Sequence, residues 1–244
     1  MFTYATQSIE AVRYSVQAEG EPLLVITEML FNLSFLVDVL FACGGYLLSL
    51  RLFDTHLRST EPTMLGWAAA LACYEPFWGV ISTRYVSYAH GYTWSAWLEP
   101  FPTVRAAWGV VLVALVAIYA GATVCFGVRF SNLTHRGVLT NGLYRWVRHP
   151  AYWSKNLYWW LFYIPFVYRG SWVRVVRDCF WLLVLNAIYW VRARTEEAHL
   201  SRDPDYVAYA RFVDRRGWFR MLPRLFPFLA FRPTPEASEE ERDP

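Results

Sequence analysis

Residues 137–160 read GVLTNGLYRWVRHPAYWSKNLYWW, and the reading of this stretch decides the fold. A loop carrying glycine, arginine and histidine runs without a linker into a segment dense in Trp and Tyr. Polar, ligand-competent side chains therefore stand at the mouth of an apolar helix. Pro150 fixes the backbone where loop becomes helix and, in the first turn, sacrifices no helical hydrogen bond. The amides that follow it are free to meet an anionic group. Gly142 permits a close approach that a side chain would obstruct.

Outward from this stretch the chain is a series of apolar blocks. Its 244 residues are 56% hydrophobic and 19% aromatic, too apolar for an ordinary soluble domain. Residues 29–50 carry one charge, Asp38, over a length that spans a bilayer, and Gly44 and Gly45 point to a close helix contact. Residues 62–83 form a second block, interrupted by Glu75-Pro76. A carboxylate at that depth is costly unless it faces the bundle, which makes Glu75 a candidate substrate-binding residue. Residues 84–105 are a Tyr- and Trp-rich loop suited to the headgroup belt. Residues 106–128 are uncharged throughout and form the clearest span. Residues 151–168 and 171–191 close the series as a hairpin, with the long side chain of Lys155 reaching back towards the interface.

The expected fold is all-α: a polytopic membrane helical bundle of about five transmembrane helices, followed by a cytoplasmic amphipathic helical segment. Residues 1–103 are expected to form an N-terminal membrane region with two spans and the aromatic loop. Residues 104–232 form the core and its cytoplasmic cap, and residues 233–244 a disordered acidic tail. Within the cap, Asp203-Pro204 starts a second helix after a break. Residues 215–227 mix basic and apolar side chains, a composition for lying on the interface.

The net charge of +3 is modest and the arginines flank apolar blocks, a pattern for lipid headgroups rather than nucleic acid. Sixteen arginines fall in residues 51–61, 129–150 and the tail from 192, against six on the opposite side. That excess places the 137–150 loop and the tail in the cytoplasm, with the N-terminus outside. The expected location is multi-pass in a bacterial inner membrane. Residues 1–22 carry Glu10, Arg13, Glu19 and Glu21 ahead of the first apolar block, the reverse of a signal peptide's basic n-region. Cys43, Cys73, Cys125 and Cys179 sit inside apolar blocks without metal or disulfide spacing and read as small buried hydrophobes; no metal is expected.

The hairpin brings two clusters to one side: the 142–152 loop before it, and Glu196, Glu197 and Leu200 after it. Glu196 lies one helical turn beyond Arg192, and Glu197 about one turn beyond Arg194, spacings that favour ion pairs. The ordered combination resembles the membrane-embedded methyltransferase group that includes isoprenylcysteine carboxyl methyltransferases and phospholipid N-methyltransferases, and is similar to its uncharacterised bacterial members. That group carries a G-P-Y-R-x-x-R-H-P-x-Y-x-G or S loop, a membrane hairpin, E-E-x-x-L, a Y-x-x-Y helix, and a later arginine and proline. The matching residues are Gly142, Tyr144, Arg145, Arg148, His149, Pro150, Tyr152 and Ser154, then Glu196, Glu197, Leu200, Tyr206, Tyr209, Arg224 and Pro227, over roughly residues 104–227. Leu143 stands where the group has proline, Lys155 adds a charge to the first turn, and Arg224 follows Tyr209 at a longer distance.

The resemblance implies S-adenosylmethionine at the cytoplasmic mouth, bound by Gly142, Tyr144, Arg148, His149, Pro150, Tyr152, Ser154, Glu196 and Glu197. It implies His149 and Arg145 as catalytic residues, Arg145 or Arg148 on the cofactor carboxylate, and Glu75, Tyr206, Tyr209 and Arg224 as substrate-binding residues. The reaction would be direct in-line methyl transfer to a lipid or lipidated substrate, with no nucleic acid and no obligate protein partner. A carboxylate acceptor needs chiefly alignment, whereas an amine acceptor needs deprotonation, for which His149 is the nearest base by residue type. Two alternatives stand beside this reading. Sterol reductases resemble the same architecture and bind NADPH, with an arginine-aspartate-glutamate group where this chain has Arg194-Thr195-Glu196-Glu197. The other is a non-catalytic membrane scaffold.

Overall fold

The computed structural model describes residues 2–17, 22–53, 55–74, 77, 79, 93–167 and 171–233. Among them the fold is almost entirely α-helical. In chain order the helices are α1 (Phe2–Gln17), α2 (Pro22–Leu47), α3 (Met64–Leu71), α4 (Trp94–Trp97), α5 (Pro102–Phe126), α6 (Pro150–Tyr163), α7 (Trp172–Leu200), α8 (Pro204–Arg216) and α9 (Leu222–Leu225). Proline opens α2, α5, α6 and α8, the position where its missing N–H and fixed φ cost nothing. Thr63 accepts from the Gly66 amide and Asp203 from the Asp205 amide, capping α3 and α8.

Two short strands depart from the all-α expectation. β1 (Ser59–Thr60) pairs antiparallel with β2 (Thr134–His135), with Ser59 opposite His135 and Thr60 opposite Thr134. The linker expected at 51–61 is thus stitched to the loop after α5, and bonds from the Arg58 amide to the His135 carbonyl and from the Glu61 amide to the Leu133 carbonyl extend the pairing.

α1 packs on α2, α2 along α5, α5 along α6, and α3 on α7. The interior holds Trp94, Leu112, Leu182 and Leu185, all essentially without exposure. Phe31 of α2 stacks on Tyr158 of α6 with centroids 4.9 Å apart. A polar ladder fastens the α6–α7 hairpin: Trp160 Nε1 donates to Asn186 Oδ1 at 2.7 Å, and Asn186 Nδ2 donates to Asn156 Oδ1. Of the glycine pair in α2, Gly45 makes the close contact, since a Cβ there would collide with the Phe130 carbonyl, whereas Gly44 faces open space. Asp38 accepts from the Thr123 hydroxyl at 2.7 Å and Arg136 Nη1 donates to the Gly45 carbonyl, so α2 is fastened both to α5 and to the loop after it.

Several boundaries differ from expectation. α1 runs over the whole of 2–17, rather than 8–16. α2 starts at Pro22, seven residues ahead of 29, because the apolar run Leu23-Leu24-Val25 is continuous with the block. Of residues 62–83, α3 takes eight and ends in a turn over 72–74, too short to cross a bilayer in the described portion. α6 has 14 residues, about 21 Å, because Ile164 adopts a left-handed conformation at its C-cap. α7 continues for 29 residues, about 43 Å, so the acidic pair stands on the same rod as the apolar segment expected at 171–191. Two helical stretches, Pro22–Leu47 and Pro102–Arg129, are long and apolar enough to cross a membrane among the described residues. The four cysteines are free and half-buried rather than fully buried. Glu75, most of the aromatic loop (84–92), the Arg169-Gly170 connection and the acidic tail from residue 234 lie outside the described residues.

Candidate functional site

The site is built where α6 begins and α7 ends. Gly142 has φ +55°, and a Cβ there would lie 2.5 Å from Cys125 Sγ, so the chain turns against α5 only with glycine. The 3-10 turn Gly142–Arg145 then inserts Tyr144 edge-on against Phe126, with centroids 5.0 Å apart. Tyr209 of α8 donates to the Tyr144 carbonyl at 2.7 Å and fixes the loop from the other side. His149, immediately before Pro150, stacks flat on Tyr152 with centroids 5.2 Å apart. The Tyr152 hydroxyl donates to Glu196 Oε2 at 2.7 Å. Arg192 lies 5.3 Å from the Tyr152 ring centroid and 5.6 Å from that of Tyr74, and donates to Asn132 Oδ1 at 2.6 Å.

Glu197 plays a different part. Its Oε1 lies 3.0 Å from His149 Nε2 and 3.3 Å from Arg148 Nη1, and its Oε2 accepts from Arg194 Nη1 at 2.7 Å. Burial alone would raise its pKa; the His149 hydrogen bond and the charges of His149, Arg148 and Arg194 outweigh that and hold the carboxyl below its ordinary value. Arg148 and Arg194 also donate to the Leu229 and Ala230 carbonyls, each at 2.9 Å, and Arg148 Nη2 lies 3.3 Å from Asp214. Glu197 is therefore the buckle that fastens the C-terminal segment over the loop.

Two adjoining chambers meet at Tyr144, His149, Tyr152, Arg192 and Glu196. The cap chamber, about 100 Å³, is completed by Arg129, Arg136, His199, Tyr206 and Tyr209. The bundle chamber, about 440 Å³, continues past Tyr152 among Phe31, Phe35, Trp159 and Tyr163, with Asp38 and Lys155 in its wall. His199 Nε2 lies 2.8 Å from Ser59 Oγ and its Nδ1 3.9 Å from Glu61; His135 Nε2 lies 3.3 Å from Asp203. Burial lowers both imidazole pKa values by more than the carboxylates raise them. Arg136 is buried, and its Nε and Nη2 have no hydrogen-bond partner among the described residues.

The structure brings Tyr144, Arg148, His149, Tyr152, Glu196, Tyr206 and Tyr209 to the chamber walls. Others stand elsewhere. Arg145 is exposed with its guanidinium 5.3 Å from the Trp146 ring, away from both chambers, because the 3-10 turn that buries Tyr144 sends its neighbour outward. Arg224 is exposed beside Met221, on α9 away from both chambers. Ser154 is fully buried and donates to the Ala151 carbonyl, a packing position one turn behind the wall. Gly142 and Pro150 act through the backbone, and Glu197 through the buckle. Lys155 turns inward to the bundle chamber instead of reaching the interface, because three aromatic rings receive it there. His149 lines both chambers with its Nε2 engaged by Glu197 Oε1. Sequence reasoning missed Asn132, His135, Arg136 and Arg192 as site residues: the first three carried one signal, a compact polar run at 131–136 between α5 and the motif loop, and Arg192 another, its place one helical turn before Glu196.

No curated protein matches the chain, and no solved structure matches it. Residues 91–213, half of the chain, match a family described as "Protein of unknown function (DUF1295)", a stretch that runs from the aromatic loop through both ends of the hairpin to α8. The chain belongs to the DUF1295 family.

Proposed function

We propose that this chain is an integral membrane methyltransferase that uses S-adenosylmethionine and methylates a lipid or lipidated acceptor at the cytoplasmic face. The observation that carries the reading is the Tyr152–Glu196 contact at the wall common to both chambers. Glu196 fits a cationic ligand. Its Oε2 accepts from Tyr152, no other hydrogen bond reaches it among the described residues, and aromatic rings surround it. Sulfonium and ammonium groups both favour carboxylate and π surroundings. The unpartnered donors of Arg136 suit the carboxylate of the same ligand.

When bound, S-adenosylmethionine supplies a methyl group on a positively charged sulfur. The chain's own task is alignment. Glu196 and Tyr152 hold the cationic centre at the common wall, His149 keeps the Tyr152 ring in plane, and the bundle chamber delivers the acceptor from the opposite side. Fixing two reactants in line contributes up to about 7–11 kcal/mol in favourable systems.

The membrane reading rests on exposure. Only 17% of the apolar window of α2 and 39% of that of the Pro102–Arg129 stretch is buried, whereas the core helix of a soluble protein is mostly buried. Leu33, Leu40, Val110, Val124, Val176 and Phe180 all face outward. Five spans, made by α2, residues 62–83, α5, the 151–168 segment that α6 begins and the 171–191 part of α7, with residues 215–227 lying on the cytoplasmic interface, are the arrangement we infer.

A second reading draws on Arg129, Arg136, Arg148 and Arg192 in the cap chamber, since guanidiniums also suit the phosphates of NADPH in a reductase. Calorimetric titration of the purified chain in detergent separates the two. Saturable S-adenosylmethionine binding is expected, weakened about tenfold by Glu196→Gln, the loss of one charge-assisted contact worth about 1.5 kcal/mol. NADPH binding without sulfonium binding overturns the methyltransferase reading.

A further inference from the structure

Lys155 stands on the same face of α6 as Tyr152, one turn deeper in the bundle. Its Nζ lies 5.1 Å from the ring centroid of Tyr119, 5.4 Å from that of Trp159 and 5.8 Å from that of Phe35. Among the described residues no hydrogen-bond acceptor reaches this ammonium. Asp38, in the same chamber, accepts from the Thr123 hydroxyl at 2.7 Å. Ring faces attract a cation but do not replace the oxygen acceptors that an ammonium has in water. A lysine held this way inside an apolar bundle is costly, and such residues mark ligand sites.

The chamber is graded along α6. Tyr152 stands at the polar wall, Lys155 one turn below it, and Trp159 and Tyr163 lower still. An amphiphile that fills this space with its apolar body towards Tyr163 has its head group between Lys155 and Tyr152. An oxyanion there completes the ammonium's coordination. An amine, cationic at neutral pH, meets Lys155 and Arg192 as like charges; of the two carboxylates in the same lining, Asp38 is engaged by the Thr123 hydroxyl, and Glu196 stands with Tyr152 at the wall where the methyl donor is proposed to sit.

We infer that Lys155 is a specificity-determining anchor, and that the bundle chamber takes a long-chain amphiphile with an oxyanion head, a carboxylate, in preference to an amine. This deepens the methyltransferase reading by naming the acceptor class, yet the binding step requires no methyl donor.

The full chain, purified in a neutral detergent at mildly alkaline pH, is dialysed to equilibrium with labelled palmitate, hexadecylamine or hexadecanol, and protein-retained label is compared with protein-free micelles. Saturable palmitate retention above both other lipids is expected. Lys155→Met should lower it about tenfold, Lys155→Arg should keep most of it, and melting curves confirm that each variant is folded; Lys155→Gln replaces the methionine variant where that one does not fold. Equal palmitate retention by wild type and the folded neutral variant, or preference for hexadecylamine, overturns the inference. Lys155-dependent palmitate retention without S-adenosylmethionine binding removes the methyltransferase reading and leaves the anchor standing. Sulfonium binding with Lys155-independent retention does the reverse.

Discussion

The Tyr152 hydroxyl and Glu196 Oε2 meet at 2.7 Å across 44 residues of chain, joining the first turn of α6 to the C-terminal turns of α7. The hairpin makes that meeting necessary: α6 leaves the site and α7, much the longer helix, returns to it. A carboxylate is thereby held beside an aromatic ring in a wall common to two chambers.

The pair should act as a unit on ligand affinity. Tyr152→Phe removes the donor that orients Glu196 and should weaken S-adenosylmethionine binding several-fold, less than Glu196→Gln. The double variant should be non-additive, with a coupling of about 0.5–3 kcal/mol. Additive losses in the titration would show that the two side chains contact different parts of the ligand.

Glu197 should govern stability more than binding. Glu197→Gln leaves Arg194, 23% exposed, without its buried counter-charge, and Arg148, 11% exposed, with only the more exposed Asp214. Breaking such a buried pair from one side costs about 3–5 kcal/mol, the lower end applying where part of the guanidinium reaches water. The melting temperature in detergent should fall well below that of Glu196→Gln. Equal melting of the two variants would remove the buckle from this account.

Periodicity and composition reveal the almost all-helical character of the chain, because apolar block length and helix caps are local properties of the chain. The motif residues Tyr144, His149, Tyr152 and Glu196 were legible because a hairpin leaves little freedom in where its two ends meet. What stayed hidden depends on pairing over long separations. Ser59 opposite His135 and Gly45 beneath Phe130 join the N-terminal half to the loop after α5, and nothing in either segment names the other. Lys155 was misread for a related reason: reach along α6 was visible, but the rings of Phe35 and Tyr119 that draw it inward lie on α2 and α5. Arg145 stands outside both chambers, which the sequence did not foretell because a motif match does not say which side of a tight turn each side chain takes.

Acid should loosen the cap in two stages. Burial holds the His135 and His199 pKa values below the ordinary 6.5, so the unfolded chain binds more protons. Stability is full above that value and falls as pH drops below it, by up to about 1.4 kcal/mol per pH unit for each proton. Glu197, held below the ordinary 4.5, contributes fully above 4.5 and loses its contribution as pH falls through its folded value. Melting temperatures across this range should decline in both stages, and His199→Gln should flatten the first. A melting temperature that rises between pH 6.5 and 5 would contradict the buried neutral state of both imidazoles.

Arg145→Ala and Arg224→Ala should leave ligand affinity unchanged and alter stability by less than about 0.5 kcal/mol, as surface substitutions do. Both guanidiniums are exposed and line neither chamber. A marked loss of S-adenosylmethionine affinity in either variant would show that the loop or α9 rearranges to close on the ligand.

Gly45→Ala tests whether the N-terminal helices belong to the site. The Cβ it adds would collide with the Phe130 carbonyl and lie 3.2 Å from that of Val128, backbone atoms that cannot swing aside as a side chain can. Either α2 or the segment after α5 must shift. The Gly45 carbonyl also accepts from Arg136 Nη1, so the shift is transmitted to a guanidinium in the cap chamber. Overpacking of this kind costs about 1–3 kcal/mol. The expected result is a lower melting temperature together with weakened S-adenosylmethionine binding, although Gly45 lines neither chamber. Gly44→Ala, in open space one residue away, should do neither, and is the control that separates a packing effect from a change in helix propensity. Equal behaviour of the two variants would mean that α2 is free to move away from the loop, and that residues 1–103 do not hold the ligand-binding wall in place.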